Sequence, residues 1–194
     1  IMQVIPSINA QSFEEAQSKL RVLEDFLPSD AWAQIDIADG VFTDFKNWGI
    51  ADELARLRTR LNIELHLMMV DVEPALRSYI EALRVMTGGK RRIIVHVEAV
   101  RDMSYILGMC GEAGVEVGLA VNPRTSIESA LIYLRAIQFI QLLAVEPGPS
   151  DQAFESEVLS KIQAIKAQSS HVIIEVDGGI TIEIARQVKA VGAD

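Results

Sequence analysis

A chain of 194 residues, 49% of them apolar and 23% charged, is long enough to bury a sizeable core, and residues 1–194 read as a single domain. A formal net charge of −9, with Lys and Arg scattered and no basic run, excludes nucleic acid as an expected partner. The single cysteine, Cys110, excludes an internal disulfide. With no signal peptide ahead of Ile1 and no apolar run long enough to span a bilayer, the chain reads as cytoplasmic and away from membranes.

In chain order, the first apolar run predicts a strand over Gln3–Pro6. Ser12-Phe-Glu-Glu15 is a capping-box start, in which hydroxyl and carboxylate satisfy free N–H groups, for a helix running to about Leu27. A second strand is expected over Ala33–Ile37. Leu54, Leu57 and Leu61 then make one helical stripe, with Arg56, Arg58 and Arg60 facing elsewhere. A third strand, Ile63–Met68, precedes a helix whose first turn holds Pro74 and whose apolar face is Leu76, Ile80 and Leu83. Further strands are expected over Arg92–Val97, Val115–Val121, Phe139–Val145 and His171–Val176. Val158, Ile162 and Ile165 repeat the helical stripe after the sixth strand, and Thr181–Val191 forms a last helix with Gly192 as its stop.

The strands read as continuous apolar runs, the pattern of a parallel sheet covered on both faces. Seven strand-then-helix units predict an α/β TIM (β/α)8 barrel whose eighth strand and helix are missing, because the chain stops at Val-Gly-Ala-Asp194 where that strand is expected. The competing doubly wound sheet lacks its Gly-x-Gly-x-x-Gly turn; Gly108, Gly111 and Gly114 have the wrong spacing and fall in a helical segment.

In such a barrel the site lies at the C-terminal ends of the strands. The polar residues there are Ser7, Gln34, Asp36, Asp39, His66, His96, Glu98, Asn122, Glu146 and Asp177. Asp36 sits between isoleucines, and Asp177 ends the similar run Val172–Gly179, just ahead of a Gly pair. Two acids facing each other across the mouth of one barrel are placed to move a proton from one face of a carbon to the other. His96 reads as hydrogen-bonded within the barrel and His171 as solvated.

Seven motifs run in the order of a known family. Pro6-Ser7-Ile8, Asp36-x-x-Asp39-Gly40-x-Phe42, His66-Leu67-Met68, Val95-His96-Val97-Glu98-Ala99, Val121-Asn122-Pro123, Val145-Glu146-Pro147-Gly148 and Glu175-Val176-Asp177-Gly178-Gly179-Ile180 resemble those of ribulose-phosphate 3-epimerases. The resemblance implies epimerisation at C3 of a ketopentose phosphate, ribulose 5-phosphate to xylulose 5-phosphate, with Asp36 and Asp177 as the two bases. It implies a divalent metal (zinc, iron, manganese or magnesium) on Asp36, His66 and Asp177, with Gln34 at the position of a fourth ligand. It implies substrate contacts from Ser7, His66, Met68, Gly148, Gly178 and Gly179, a small sugar phosphate as partner, and a homo-oligomer.

The chain departs from the family pattern at three places. Gln34 stands where the family has a strand-2 histidine. Pro147-Gly148-Pro149-Ser150-Asp151-Gln152 replaces a glycine-rich phosphate loop, removing an N–H and adding a negative charge. Two methionine positions read Ala38 and Leu143. The alternatives are a related hexulose-6-phosphate 3-epimerase and a sugar-phosphate-binding barrel that has lost turnover. A decarboxylase on the same barrel would carry Asp-x-Lys-x-x-Asp, and Asp36-Ile37-Ala38-Asp39 has no lysine.

Overall fold

The structure, a computed structural model, describes residues 2–194. Seven strands and seven helices alternate among the described residues, in two compact units. One comprises residues 4–95 and 99–117; the other comprises residues 96–98 and 118–194 with the chain start up to Gln3.

The larger unit contains β1 (Ser7–Ile8), α1 (Phe13–Phe26), β2 (Trp32–Ala38), α2 (Ala51–Leu54), β3 (Asn62–Met68), α3 (Val72–Val85), most of β4 (Arg91–His96) and α4 (Met103–Ala113). Its strands pair in parallel and in chain order. Every residue of β2 and β3 is buried, as expected of parallel strands covered on both faces. The other unit contains most of β5 (Glu116–Val121), then α5 (Glu128–Leu131), β6 (Phe139–Leu143), α6 (Val158–Gln168), β7 (Ile173–Asp177) and α7 (Ile182–Val191). Here β5, β6 and β7 again pair in parallel and in order. Repeated strand–helix units with parallel neighbours are the TIM-type α/β architecture expected from the sequence. No helix among the described residues is long and apolar enough to cross a membrane.

Local signals explain most boundaries. Ser12 Oγ accepts from Glu15 N at 3.2 Å, while the Glu15 carboxylate reaches past the cap to Gln11 N at 2.8 Å. Thr181 caps α7 in the same way, and Gly192 ends it at φ 116, a backbone angle that glycine adopts without strain. Pro74 is the third residue of α3, still within the turn whose N–H groups need no intrahelical partner.

Three expectations are corrected. The first strand lies at Ser7–Ile8 and not Gln3–Pro6: Val4 is exposed, and Pro6, having no N–H, contributes only its carbonyl, to Gln34 N at 2.9 Å. The leucine stripe is not one helix. Leu54, Leu57 and Leu61 are all buried, but α2 stops at Leu54. The Gln17 side chain bonds both Arg58 N and Arg58 O at 3.0 Å, holding that chain segment as a ladder partner would. Strand 6 ends at Leu143, and strand 7 begins at Ile173 and runs on to include Asp177.

Candidate active site

Alternation along β2 places Gln34 and Asp36 on one face, and parallel register sets Gln34 beside Glu64 and Asp36 beside His66 on β3. Glu64 in turn lies beside Arg92 on β4. The face therefore carries two polar layers in the larger unit. Nearer the strand starts, Arg92 Nη1 meets Glu64 Oε2 at 2.7 Å, and its guanidinium stacks 4.2 Å over the Trp32 ring. Nearer the strand ends, Asp36 Oδ1 accepts from Gln34 Nε2 at 2.8 Å and lies 3.1 Å from His66 Nδ1. Gln34, Asp36 and His66 are 2%, 9% and 1% exposed, so this carboxylate works in a low-dielectric setting. His66 Nδ1 faces that oxygen at hydrogen-bonding distance, and a proton on Nδ1 would be donated to it.

The chain after β2 is built to hold that strand end. Asp39 accepts from the N–H groups of Val41, Phe42 and Val70 at 2.7, 2.8 and 3.0 Å. Burial opposes its charge, but those three donors hold its carboxyl below the usual aspartate range. Asn47 then returns to the strand, donating to Asp36 O and accepting from Ala38 N, each at 2.8 Å.

In the smaller unit, β7 carries Glu175 and Asp177 on one face, and Gln141 Nε2 donates to Glu175 Oε1 at 2.6 Å. Asp177 is partly exposed, and its carbonyl accepts from Ala144 N at 2.7 Å. Gly178 and Gly179 follow at φ 98 and φ 65. A Cβ on Gly178 would lie 2.3 Å from Val145 Cγ2, and one on Gly179 2.8 Å from Phe154 N, so the turn after β7 is pressed against the segment after β6. That segment turns at Gly148, φ 126, and at Asp151, which holds φ 64, a conformation unfavourable for a side-chain-bearing residue. Gln152 Nε2 closes the loop on Glu146 O and Pro149 O at 2.7 and 2.8 Å.

The same unit holds a third cluster. His96, fully buried, lies 3.2 Å from Glu98 Oε2, and Asn122 N donates to Glu98 Oε1 at 2.9 Å. Burial raises the Glu98 carboxyl, but hydrogen bonds from His96 and Thr125, the charge of His96 and the Asn122 N–H outweigh it and leave the pKa lowered. Lys161 Nζ donates to the carbonyls of Asn122, Pro123 and Thr125 at 2.8, 2.5 and 2.8 Å, fixing the turn after β5.

Of the remaining sequence candidates, Ser7 is exposed in β1 beside Gln34, and Met68 is buried at the end of β3 beside Ala38. His171 is exposed, with its ring 2.9 Å from Ser169 Oγ. Cys110 is buried, and burial pushes its thiol up to about 12, making it inert. Sequence reasoning missed Asn47, Gln152 and Lys161, which act on backbone groups that no periodicity marks. Asp36, His66 and Asp177 each offer a donor atom, carboxylate oxygen or ring nitrogen, of the kind a divalent metal takes.

A sequence profile described as the ribulose-phosphate 3 epimerase family matches residues 3–194. The chain belongs to that family. It is 33% identical over 167 residues to the ribulose-phosphate 3-epimerase of Chlamydia trachomatis, a match covering 82% of this chain and 69% of that protein. The namesake in Chlamydia pneumoniae is 33% identical over 194 residues, covering 96% and 77%. That of Schizosaccharomyces pombe is 26% identical over 197 residues, covering 99% and 82%. Among solved structures, a mutant tryptophan synthase alpha-subunit from Pyrococcus furiosus aligns with TM-score 0.65 at 14% identity, covering 98% of this chain and 84% of that one. Tryptophan synthase of Mycobacterium tuberculosis aligns with TM-score 0.63 at 14% identity, covering 92% and 75%. Those structures share the fold. Membership in the ribulose-phosphate 3-epimerase family makes the chain an isomerase.

Proposed function

We propose that the chain interconverts ribulose 5-phosphate and xylulose 5-phosphate at C3, with Asp36 and Asp177 as the two bases. The observation that carries the reading is Asp36, a nearly buried carboxylate at a strand end, held by Gln34 and His66 in a member of this family. In one direction, one aspartate removes the C3 proton, leaving the electron pair in a 2,3-enediolate of the sugar. The other aspartate, protonated, returns a proton to the opposite face, and the roles exchange in reverse.

The donor chemistry of Asp36, His66 and Asp177 fits a divalent ion: the imidazole favours zinc or iron, while the two carboxylates also suit manganese or magnesium. Held by these residues, such an ion would supply positive charge to stabilise a developing enediolate. Ser7, His66 and Met68 are assigned to the sugar, and Gly148, Gly178 and Gly179, all at positive φ, to the phosphate. The reading sets the protein in the cytoplasm, where a reduced Cys110 and phosphorylated sugars belong.

The test is solvent deuterium exchange at C3 of ribulose 5-phosphate, followed by NMR, with zinc, manganese, iron or magnesium added to chelator-treated protein. Metal-dependent exchange that disappears in Asp36→Asn and Asp177→Asn is expected. Full exchange in both variants would sink the two-base mechanism. No exchange in wild type with any metal, with exchange on a hexulose 6-phosphate, would reassign the substrate; tight sugar-phosphate binding without exchange on either would mark a barrel that has lost turnover, a reading favoured by Asp151 in the altered loop.

A further inference from the structure

We propose that Gln34 is a positioning residue that aims Asp36 through a hydrogen bond and stays outside the ligand shell of any ion Asp36 holds. The inference rests on the reading of Asp36 as base and ligand. Gln34 and Asp36 alternate on β2 with only Ile35 between them, so their side chains leave the same face. Gln34 Nε2 lies 2.8 Å from Asp36 Oδ1 in a buried setting.

A carboxylate only accepts, so the amide must present its NH2 group to Asp36. Reversing the amide to offer its oxygen would bring two acceptors face to face and forfeit a buried, charge-assisted hydrogen bond. The amide oxygen is therefore turned away from Asp36 Oδ1. Oδ1 also faces His66 Nδ1 at 3.1 Å, so two nitrogens converge on that oxygen. On this proposal the proton and the ion go to Oδ2, the oxygen that makes neither of these two contacts. Gln34 thus holds the acid by a neutral donor: it fixes the carboxylate plane without adding charge. Partners of this kind orient a ligand and contribute less to metal affinity than the ligands themselves.

The experiment uses the full chain and manganese. Gln34→Met keeps the side-chain length and removes the donor; His66→Leu removes a ligand. Calorimetric manganese titration should show Gln34→Met weakened by about 10–100-fold and His66→Leu without measurable binding. Gln34→Met should also lower kcat while leaving KM for the sugar phosphate nearly unchanged. In the metal-free protein, one Gln34 side-chain amide proton should resonate downfield in the 1H–15N spectrum and return to the ordinary position in Asp36→Ala. Gln34→Met that binds manganese like wild type, or that loses binding as fully as His66→Leu, overturns the proposal. So does an undisplaced Gln34 amide. Wild-type protein that takes up no manganese counts against the metal in the reading above, and the amide resonance then decides the role of Gln34 alone.

Discussion

Asn47 holds the main chain of Asp36 by a side-chain amide, donating to its carbonyl at 2.8 Å while accepting from Ala38 N–H at 2.8 Å. The same Nδ2 reaches Asn9 Oδ1 at 3.0 Å, so a loop residue 9% exposed ties together the ends of β1 and β2. Asn47→Ala leaves two buried backbone groups without these partners, a cost of roughly 2 kcal/mol or more. With Asp36 as the base proposed above, kcat should fall about tenfold or further, because Asp36 moves with its backbone. Asn47→Asp keeps the acceptor but sets a carboxylate oxygen against two acceptors, Asp36 O and Asn9 Oδ1, so at neutral pH it should be no more stable or active than Asn47→Ala in denaturant unfolding and steady-state kinetics. An Asn47→Ala variant as active and stable as wild type would dismiss the clamp.

Arg92 is the hinge of the lower polar layer. It pairs with Glu64, which is fully buried, and with Glu116, whose side chain is 46% exposed. Removing one partner of a buried pair is costly because the other charge stays in the core, while exposed pairs contribute little. Arg92→Met should therefore destabilise by about 3 kcal/mol or more. Glu116→Gln should cost less than about 1 kcal/mol. Equal effects of the two substitutions in urea unfolding would show that the buried partner does not dominate.

In the polar layer nearer the strand ends, the common face of Gln34 and Asp36 was legible from strand alternation, while His66 comes beside Asp36 through inter-strand register, which the sequence of a single strand does not state. Asp177 was legible separately, as the end of a similar apolar run. What could not be read is the set of side chains that bind backbone across long separations: Asn47 on Asp36, Gln17 on Arg58, and Lys161 on Asn122, Pro123 and Thr125. Such contacts obey no period, since they depend on where a loop is brought by the rest of the fold. Helical spacing misleads after α2 for the same reason: Leu57 and Leu61 have that spacing and are buried, yet reach the core from non-helical chain. The first strand starts at Ser7, later than hydropathy alone suggests, because an apolar run that includes Pro6 looks like a strand.

The Glu98 cluster makes stability depend on pH in one direction. Its carboxyl is lowered below the ordinary glutamate range in the folded protein, with His96 and Thr125 as hydrogen-bond partners, Asn122 N–H behind it and Lys161 as the nearby cation. A lowered folded pKa means the unfolded chain binds the proton first. The contribution is thus fully present above the unfolded glutamate value, about 4.3, and is lost as pH falls through the lowered folded value. Thermal melts should show Glu98→Gln less stable than wild type at neutral pH, with the gap narrowing on acidification. A gap that stays constant from neutral pH to below that range would show that Glu98 acts only by packing.

Two glycines of opposite kind separate backbone need from mere tolerance. Gly108 lies inside α4 at an ordinary helical angle, and a Cβ there meets nothing within 4 Å. Gly108→Ala should stabilise the protein by about 0.5–1 kcal/mol, because alanine restricts the unfolded chain and suits the helix. Gly178 has φ 98, and its added Cβ would lie 2.3 Å from Val145 Cγ2, so Gly178→Ala combines backbone strain with overpacking. A loss of about 2–4 kcal/mol is expected. Since the strain falls on the residue directly after Asp177, the turn can relieve it only by moving away from the segment after β6. Gly178→Ala should therefore raise KM for the sugar phosphate as well as lower the unfolding midpoint, whereas Gly108→Ala raises the midpoint and leaves KM alone. A Gly178→Ala protein with wild-type KM would remove this turn from the phosphate site.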